Sequence, residues 1–375
     1  MDLDLSEEQE MLREMVRGVC SSYANLETVR ALEDDAIGFP AELWKQMAAL
    51  DLIGLMVPAA YGGSEMSALE GAVVYSELGR ALAPSPHFVS AVMGAGVLLR
   101  AGSDEQKQSW MARIASGDAI VTCARLEPGN GFGARGVQAT ARADGGDFVL
   151  DGTKCHVPFA AAATAMLVLA RTGPADDDID LFLVDPTATG VTLQQQLTLA
   201  SDSQYELTLS GVRVAASARV GAAGSGWSTW HDAMLDGIIM LAAQAIGGAR
   251  YALEITVQYA KDREQFDKPL GAFQAISHYL ADAATAVDGA EMLVYEAAWA
   301  RANGRPIDRL APMAKLFACK TFRDVTAMAQ QVFGGVGFTV EYDVQLYFRR
   351  AKVQQISWWD DRALEEMIAA GVLDA

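Results

Sequence analysis

The hydrophobic period of this chain changes twice along its length, and that change constrains the fold more than any single residue does. Over residues 1–119 apolar side chains recur at helical spacing. Ser6 followed by Gln9 is a capping-box pattern with acidic residues in the first turn. Met11, Met15 and Val19 then recur every four residues and predict one apolar helix face. Pro40 suits the first position of a second helix that carries Leu43, Trp44 and Met47. The loop from Pro58 to Ser64, PAAYGGS, interrupts the helical pattern.

From residue 120 to 226 the pattern is one of short strands. Val121 to Leu126 alternates, and Val137–Ala143 and Phe148–Leu150 flank Asp144-Gly145-Gly146-Asp147 as a hairpin. Met166–Ala170, Leu181–Val184 and Tyr205–Leu209 are further strands, with no helix-length pattern between them. From residue 227 long helices return. Ile276, Leu280, Ala283, Val287, Ala290 and Val294 step by four and three as a bundle seam, stopped by Asn303-Gly304 and Pro306. A further helix covers Met313 to Val332 and breaks at Phe333-Gly334-Gly335. The order predicts an α+β fold: an N-terminal α-helical domain (1–119), a middle antiparallel β-sandwich or barrel domain (120–226) and a C-terminal helical bundle (227–375).

Composition narrows the function classes. About half of the 375 residues are apolar, which excludes disorder as the main state. The net charge of −19 repels phosphate, so a nucleic-acid partner is not expected. The acidic start has no positive region followed by an apolar run, unlike a signal peptide. The most apolar stretches, 237–248 and 159–170, are 12 residues each, short of the roughly 20 that span a bilayer, so no membrane span is expected. Four scattered cysteines without a CxxC pair suit reduced thiols in a cytoplasmic setting. Four histidines without ligand spacing give no metal site.

One motif misleads. Gly131 to Gly136 matches GxGxxG after a strand, but a dinucleotide fold needs a helix to open there, and Val137 onward reads as strand. The informative residues are dispersed: Glu127-Pro128-Gly129-Asn130-Gly131; Gly152-Thr153-Lys154; Arg263 to Phe266 with Pro269-Leu270-Gly271-Ala272-Phe273-Gln274; Gln331 to Phe338; and Arg349-Arg350-Ala351-Lys352. Together, in this order and spacing, and with PAAYGGS upstream, they resemble the acyl-CoA dehydrogenase family of flavoproteins over essentially the whole chain.

The resemblance implies a dimer or tetramer that binds FAD between the β domain and the C-terminal bundle, with a neighbouring bundle completing the site. Arg263 would face the FAD diphosphate, which a guanidinium can grip with two parallel charge-assisted hydrogen bonds. Phe266 and Gln274 would line the adenosine half, with Gln331 beside them. Gly334 and Gly335 would let the backbone approach the diphosphate. Leu126, Gly131, Phe132, His156 and Pro158 fall where the family holds the flavin ring. The implied reaction is α,β-desaturation of an acyl-CoA thioester, in which a carboxylate removes the α-proton and electrons pass to an electron-transferring flavoprotein.

The sequence departs from that pattern at the chemistry. The usual glutamate position falls on Trp358, and the alternative position used by other members falls on Gly237. Asp236 and Asp360 are the nearest substitutes, and Asp360 is the candidate base; Asp361 and Glu341 read as structural or solvated. The ring-binding Thr, Ser and Trp-Ile-Thr of the family become Leu126, Phe132 and His156-Val157-Pro158. Three readings stay open: a homo-oligomeric dehydrogenase with a relocated base, a catalytically silent subunit that completes the FAD site of a base-bearing partner, and an FAD-free binding protein on the same fold.

Overall fold

The computed structural model describes residues 5–373. The first third is helical: α1 (Glu7–Tyr23), α2 (Leu26–Ala31), α3 (Ala41–Ala49), α4 (Ala68–Arg80), α5 (Ala95–Ala101) and α6 (Asp104–Ala115). A π-helical run, Phe88–Gly94, leads directly into α5. Strands follow: β1 (Val121–Ala124), β2 (Thr140–Asp144), β3 (Asp147–Pro158), β4 (Ala165–Arg171), β5 (Ile179–Val184), β6 (Val191–Gln196), β7 (Gln204–Val214) and β8 (Arg219–Val220). The last third holds α7 (Gly226–Asp262), the short strands β9 (Glu264–Gln265) and β10 (Lys268–Pro269), then α8 (Gln274–Ala302), α9 (Leu310–Phe333), α10 (Val344–Ile356) and α11 (Asp361–Leu373). The order helices, sheet, helices is the α+β architecture expected from the two changes of period. The chain folds into two compact units, one of residues 32–66 and 84–237, the other of 5–31, 67–83 and 238–373.

The first unit is built on a sheet of order β6-β7-β3-β2-β4-β5-β8, with β1 beside β4. The predicted hairpin closes with Asp144 opposite Asp147. Its two-residue turn, Gly145-Gly146, has φ of 61° and 96°, the twist that short hairpins favour. The expectation of a wholly antiparallel module is corrected at β1, which pairs with β4 in parallel, Val121 opposite Ala165. A crossover of some 40 residues separates them, and it contains the β2/β3 hairpin, so chain direction is free to repeat. Leu150, Val157, Phe182, Leu207, Leu209 and Val212 fill the sheet core. Under it lies an ion pair, Lys154 Nζ to Glu127 Oε1 at 2.6 Å, both side chains buried. Glu127 also accepts from the backbone N–H of Gln138 (3.0 Å) and Ala139 (2.9 Å). Pro40 is the N-cap of α3 rather than its first helical residue, while Leu43, Trp44 and Met47 are buried as expected.

In the second unit Ser6 and Gln9 form the capping box of α1. The buried face of α1, however, is Leu12, Val16, Val19 and Cys20, and Met11 is 72 % exposed. Arg17 turns toward α4, where it makes a bidentate pair with the buried Glu77 (2.9 and 2.8 Å) and sets which face of α1 turns inward. Of the predicted seam in α8, Ala283, Val287, Ala290 and Val294 are buried, whereas Ile276 and Leu280 are half-buried. Among the described residues one helix, α7, is long and apolar enough by length and composition to cross a membrane, although 67 % of its most apolar window is buried in the protein. The expectation from runs of 12 residues missed this, because a 37-residue helix joins several such runs.

Candidate active site

In the second unit, one end of the bundle gathers six candidate residues. Arg263 directly follows α7; its N–H donates to the Tyr259 carbonyl (2.9 Å) and its own carbonyl accepts from Leu270 N (2.8 Å). That second bond closes the β9/β10 hairpin, whose turn is Phe266-Asp267, with φ of 54° and 64° and no glycine to ease it. Phe266 is 87 % exposed, its ring edge-on to Phe273 at 6.2 Å. Gln274 opens α8. The seven-residue connection 303–309 turns α9 back along α8, so the start of α8 and the end of α9 lie at the same end of the pair. There, Phe333 stacks on Tyr259 with ring centroids 4.1 Å apart. Arg263, Phe266, Gln274, Gln331, Gly334 and Gly335 are therefore brought together, and all six are exposed.

The chemistry of this set fits an anionic dinucleotide. Gly334 has φ 66° and ψ −142°, a conformation open to glycine alone. A Cβ placed on Gly334 or Gly335 would meet nothing within 4 Å, so the space beside both backbones is open. A guanidinium and two carboxamides stand at the same end of the bundle, and these are donors for phosphate oxygens; the Gly334 N–H itself donates to the Gln330 carbonyl. Two residues of this end escaped the sequence reading. Tyr259, one helical turn before Arg263, supports the set from below. Gln330 is 4 % exposed, and neither its Oε1 nor its Nε2 has a hydrogen-bond partner.

In the first unit, the residues expected at the flavin ring are committed to the protein itself. The Leu126 carbonyl accepts from Cys155 N (2.8 Å). Phe132 lies 5.2 Å from the Arg125 guanidinium, whose pKa burial pushes down to about 10. His156 sits in a β-bulge at φ 52°. Its N–H donates to Gln196 Oε1 (2.8 Å) and its Nδ1 lies 2.8 Å from Gln204 Oε1. Pro158 has no N–H, and its carbonyl accepts from the Thr122 hydroxyl (2.5 Å). Gly131 is exposed in the loop after β1, and the GxGxxG stretch runs through a three-residue 3₁₀ turn into β2 with no helix. Leu126, His156 and Pro158 thus make hydrogen bonds within the chain, and none of the five is the Thr, Ser or Trp-Ile-Thr that the resemblance expects at a flavin ring.

The carboxylates give a matching result. Trp358 and Trp359 occupy left-handed backbone, φ 54° and 71°. Asp360 caps α11, its Oδ1 accepting from Ala363 N (3.0 Å). Asp361 Oδ2 accepts from Gln355 Nε2 (2.5 Å). Asp236 pairs with Arg100. A Cβ on Gly237 would fall 2.8 Å from Met93 Sδ and 3.4 Å from the Phe88 ring, so that face of α7 is filled by apolar side chains.

The N-terminal, middle and C-terminal domain families of acyl-CoA dehydrogenase match residues 6–118, 123–212 and 224–373. The chain belongs to the acyl-CoA dehydrogenase family. A probable acyl-CoA dehydrogenase of Bacillus subtilis, YngJ, is 34 % identical over 366 residues, 95 % of each chain. Among solved structures, the ChsE4–ChsE5 complex of Mycobacterium tuberculosis superposes with a TM-score of 0.90 at 30 % identity over 100 % of both chains. The structure of PigA with FAD and proline superposes with a TM-score of 0.90 at 25 % identity over 99 % of both. At the bundle end the chain carries the exposed residues Arg263, Gln274, Gln331, Gly334 and Gly335. It carries no carboxylate at Trp358 or Gly237, the two positions where the resemblance expects the base.

Proposed function

We propose that this chain is the base-less subunit of a hetero-oligomeric, FAD-dependent acyl-CoA dehydrogenase, and that it completes the FAD site of a base-bearing partner. The observation that carries this reading is the split between the two halves of the site. Arg263, Phe266, Gln274, Gln331, Gly334 and Gly335 stand exposed and unobstructed at one end of the bundle. The positions for flavin-ring contact and proton abstraction hold Pro158, Phe132, Trp358 and Gly237 instead. The likeness to chains of the ChsE4–ChsE5 complex supports a two-component assembly.

FAD, when bound, supplies the two-electron acceptor for α,β-desaturation of an acyl-CoA thioester. The task of this chain is to grip and to shield. Arg263 would hold diphosphate oxygens through parallel N–H bonds, which a lysine could not match in geometry. The Gly334-Gly335 backbone would face the same diphosphate, and Gln274 and Gln331 would donate their amide N–H groups. Phe266 covers the adenosine side with an apolar ring and keeps water from it. The partner supplies the carboxylate, and electrons leave to an electron-transferring flavoprotein. Asp360 remains a helix cap in this reading.

The test is co-expression with a base-bearing acyl-CoA dehydrogenase chain that co-purifies with it. Arg263→Ala in this chain should strip most of the FAD from the complex while the complex stays assembled. Full FAD retention by an intact complex would contradict the proposal.

A further inference from the structure

We infer that the Gly334–Phe338 turn between α9 and α10 has two backbone conformations, and that Gln330 is the positioning residue that draws it into the second. The inference rests on the reading above that this end of the bundle grips FAD, and adds that the grip is complete only when the turn closes on Gln330.

Gln330 lies in the last turn of α9 and is buried. Among the described residues it alone buries both ends of a carboxamide, Oε1 and Nε2, without a hydrogen-bond partner. An unpaired buried donor and acceptor lose their hydration and gain nothing, whereas an apolar side chain of the same shape would not suffer this. The sequence keeps glutamine here although its helix neighbours Ala329 and Phe333 join Val344 in an apolar cluster. The carboxamide is aimed at the turn: a Cβ built on Gly337 would fall 2.6 Å from Gln330 Oε1, so the oxygen rests against the Gly337 backbone. Three of the five turn residues are glycine, which crosses between backbone regions at little cost. Both flanks of the turn are fixed. Upstream, Phe333 meets the rings of Tyr259 (4.1 Å) and Tyr342 (5.8 Å). Downstream, Arg30 donates to the Val340 carbonyl (3.3 Å) and pairs with Asp343 (2.7 Å). A glycine-rich segment between fixed flanks moves by rotating its own peptide planes. Such a rotation at Gly337 turns a backbone N–H onto Gln330 Oε1, and it re-aims the exposed Gly334-Gly335 backbone on the opposite side. The unpaired carboxamide is thus strain held in one form and relieved in the other, and a ligand that prefers the second form shifts the turn toward it.

The test compares the full chain with its Gln330→Met variant, which keeps the volume and removes the polar atoms. The melting temperature should rise by about 2 °C, because the unpaired groups are gone. Hydrogen exchange of the peptide spanning residues 334–338, read by mass spectrometry, should slow at least about threefold, because the second conformation has lost its pair. In the complex with a base-bearing chain, the variant should bind FAD about tenfold more weakly than wild type. A merely structural glutamine would lose stability and cofactor together, whereas here stability rises as affinity falls. A variant that fails to fold or melts lower overturns the inference, and so does exchange at the wild-type rate. Unchanged FAD affinity, in a complex that does lose FAD on Arg263→Ala, overturns it too. Should Arg263→Ala retain FAD, the grip at this end of the bundle fails, and melting and exchange still decide whether the turn has two forms.

Discussion

Tyr259 stacks on Phe333 with ring planes 15° from parallel, and this stack ties the end of α7 to the end of α9. Arg263 lies one turn beyond Tyr259, and Gly334 directly follows Phe333. The pair is thus the mechanical link between the guanidinium and the glycine backbone of the proposed FAD grip. Phe333 is 8 % exposed, so Phe333→Ala should cost about 3 kcal/mol through lost burial and a cavity. Tyr259→Leu keeps much of the volume and should cost about 1 kcal/mol, the share of the ring pairing. Urea unfolding of both variants checks the difference.

The two adjacent glycines separate backbone strain from ligand contact. Gly334→Ala meets no neighbouring atom but must hold φ 66° and ψ −142°; the expected loss is roughly 1–3 kcal/mol of stability. Gly335 carries no such backbone demand, so Gly335→Ala should leave stability within about 0.5 kcal/mol. It should still weaken FAD retention by the assembled complex, because its methyl occupies the open space. Thermal melting and flavin content, measured on the same preparations, test both halves.

Legibility in the sequence follows the range of the interactions. The Ser6–Gln9 capping box and the Gly145-Gly146 hairpin are local and readable as such. The inward face of α1 is not, because Met11 and Met15 satisfy the same spacing as Leu12 and Val16, and the choice between them is made by Arg17 and Glu77 across 60 residues of chain. The parallel β1–β4 pairing is equally non-local. At the candidate site, Arg263, Gln274 and Gly335 are singled out by their motifs, and all three are exposed. Gln330 is not so marked, since in sequence it resembles any polar helix residue and only its burial reveals it.

Gly237 and the π-helical run form a coupled pair. Alanine normally stabilises a helix interior by about 1 kcal/mol over glycine. Here the 2.8 Å approach to Met93 Sδ reverses the sign, and Gly237→Ala should destabilise by roughly 1–3 kcal/mol. Adding Met93→Ala should recover part of that loss. A double-mutant cycle with additive effects would show that the two residues do not meet.

Lys154 and Glu127 anchor the sheet core. Lys154→Met strands a buried carboxylate, so a loss of about 3 kcal/mol is expected, limited by the backbone N–H groups that Glu127 retains. Replacing both, as Lys154→Met with Glu127→Gln, should cost less than Lys154→Met alone. Denaturant midpoints decide it.

His87 makes stability depend on pH. Its Nε2 lies 3.0 Å from the Leu52 carbonyl, and burial pushes its pKa down to about 4. The unfolded chain takes up this proton near pH 6.5 while the folded protein stays neutral, so proton uptake favours unfolding between those values. The contribution is fully present above about pH 6.5 and falls away by about 3 kcal/mol as pH drops to about 4. His87→Gln, which keeps an N–H donor, should flatten that slope in a pH series of urea midpoints.

The most direct measurement is the ratio of FAD to polypeptide when the chain is expressed and purified alone. The account predicts a colourless protein with a ratio near zero and no acyl-CoA oxidation. One FAD per chain, with turnover of an acyl-CoA to its enoyl product, would contradict it.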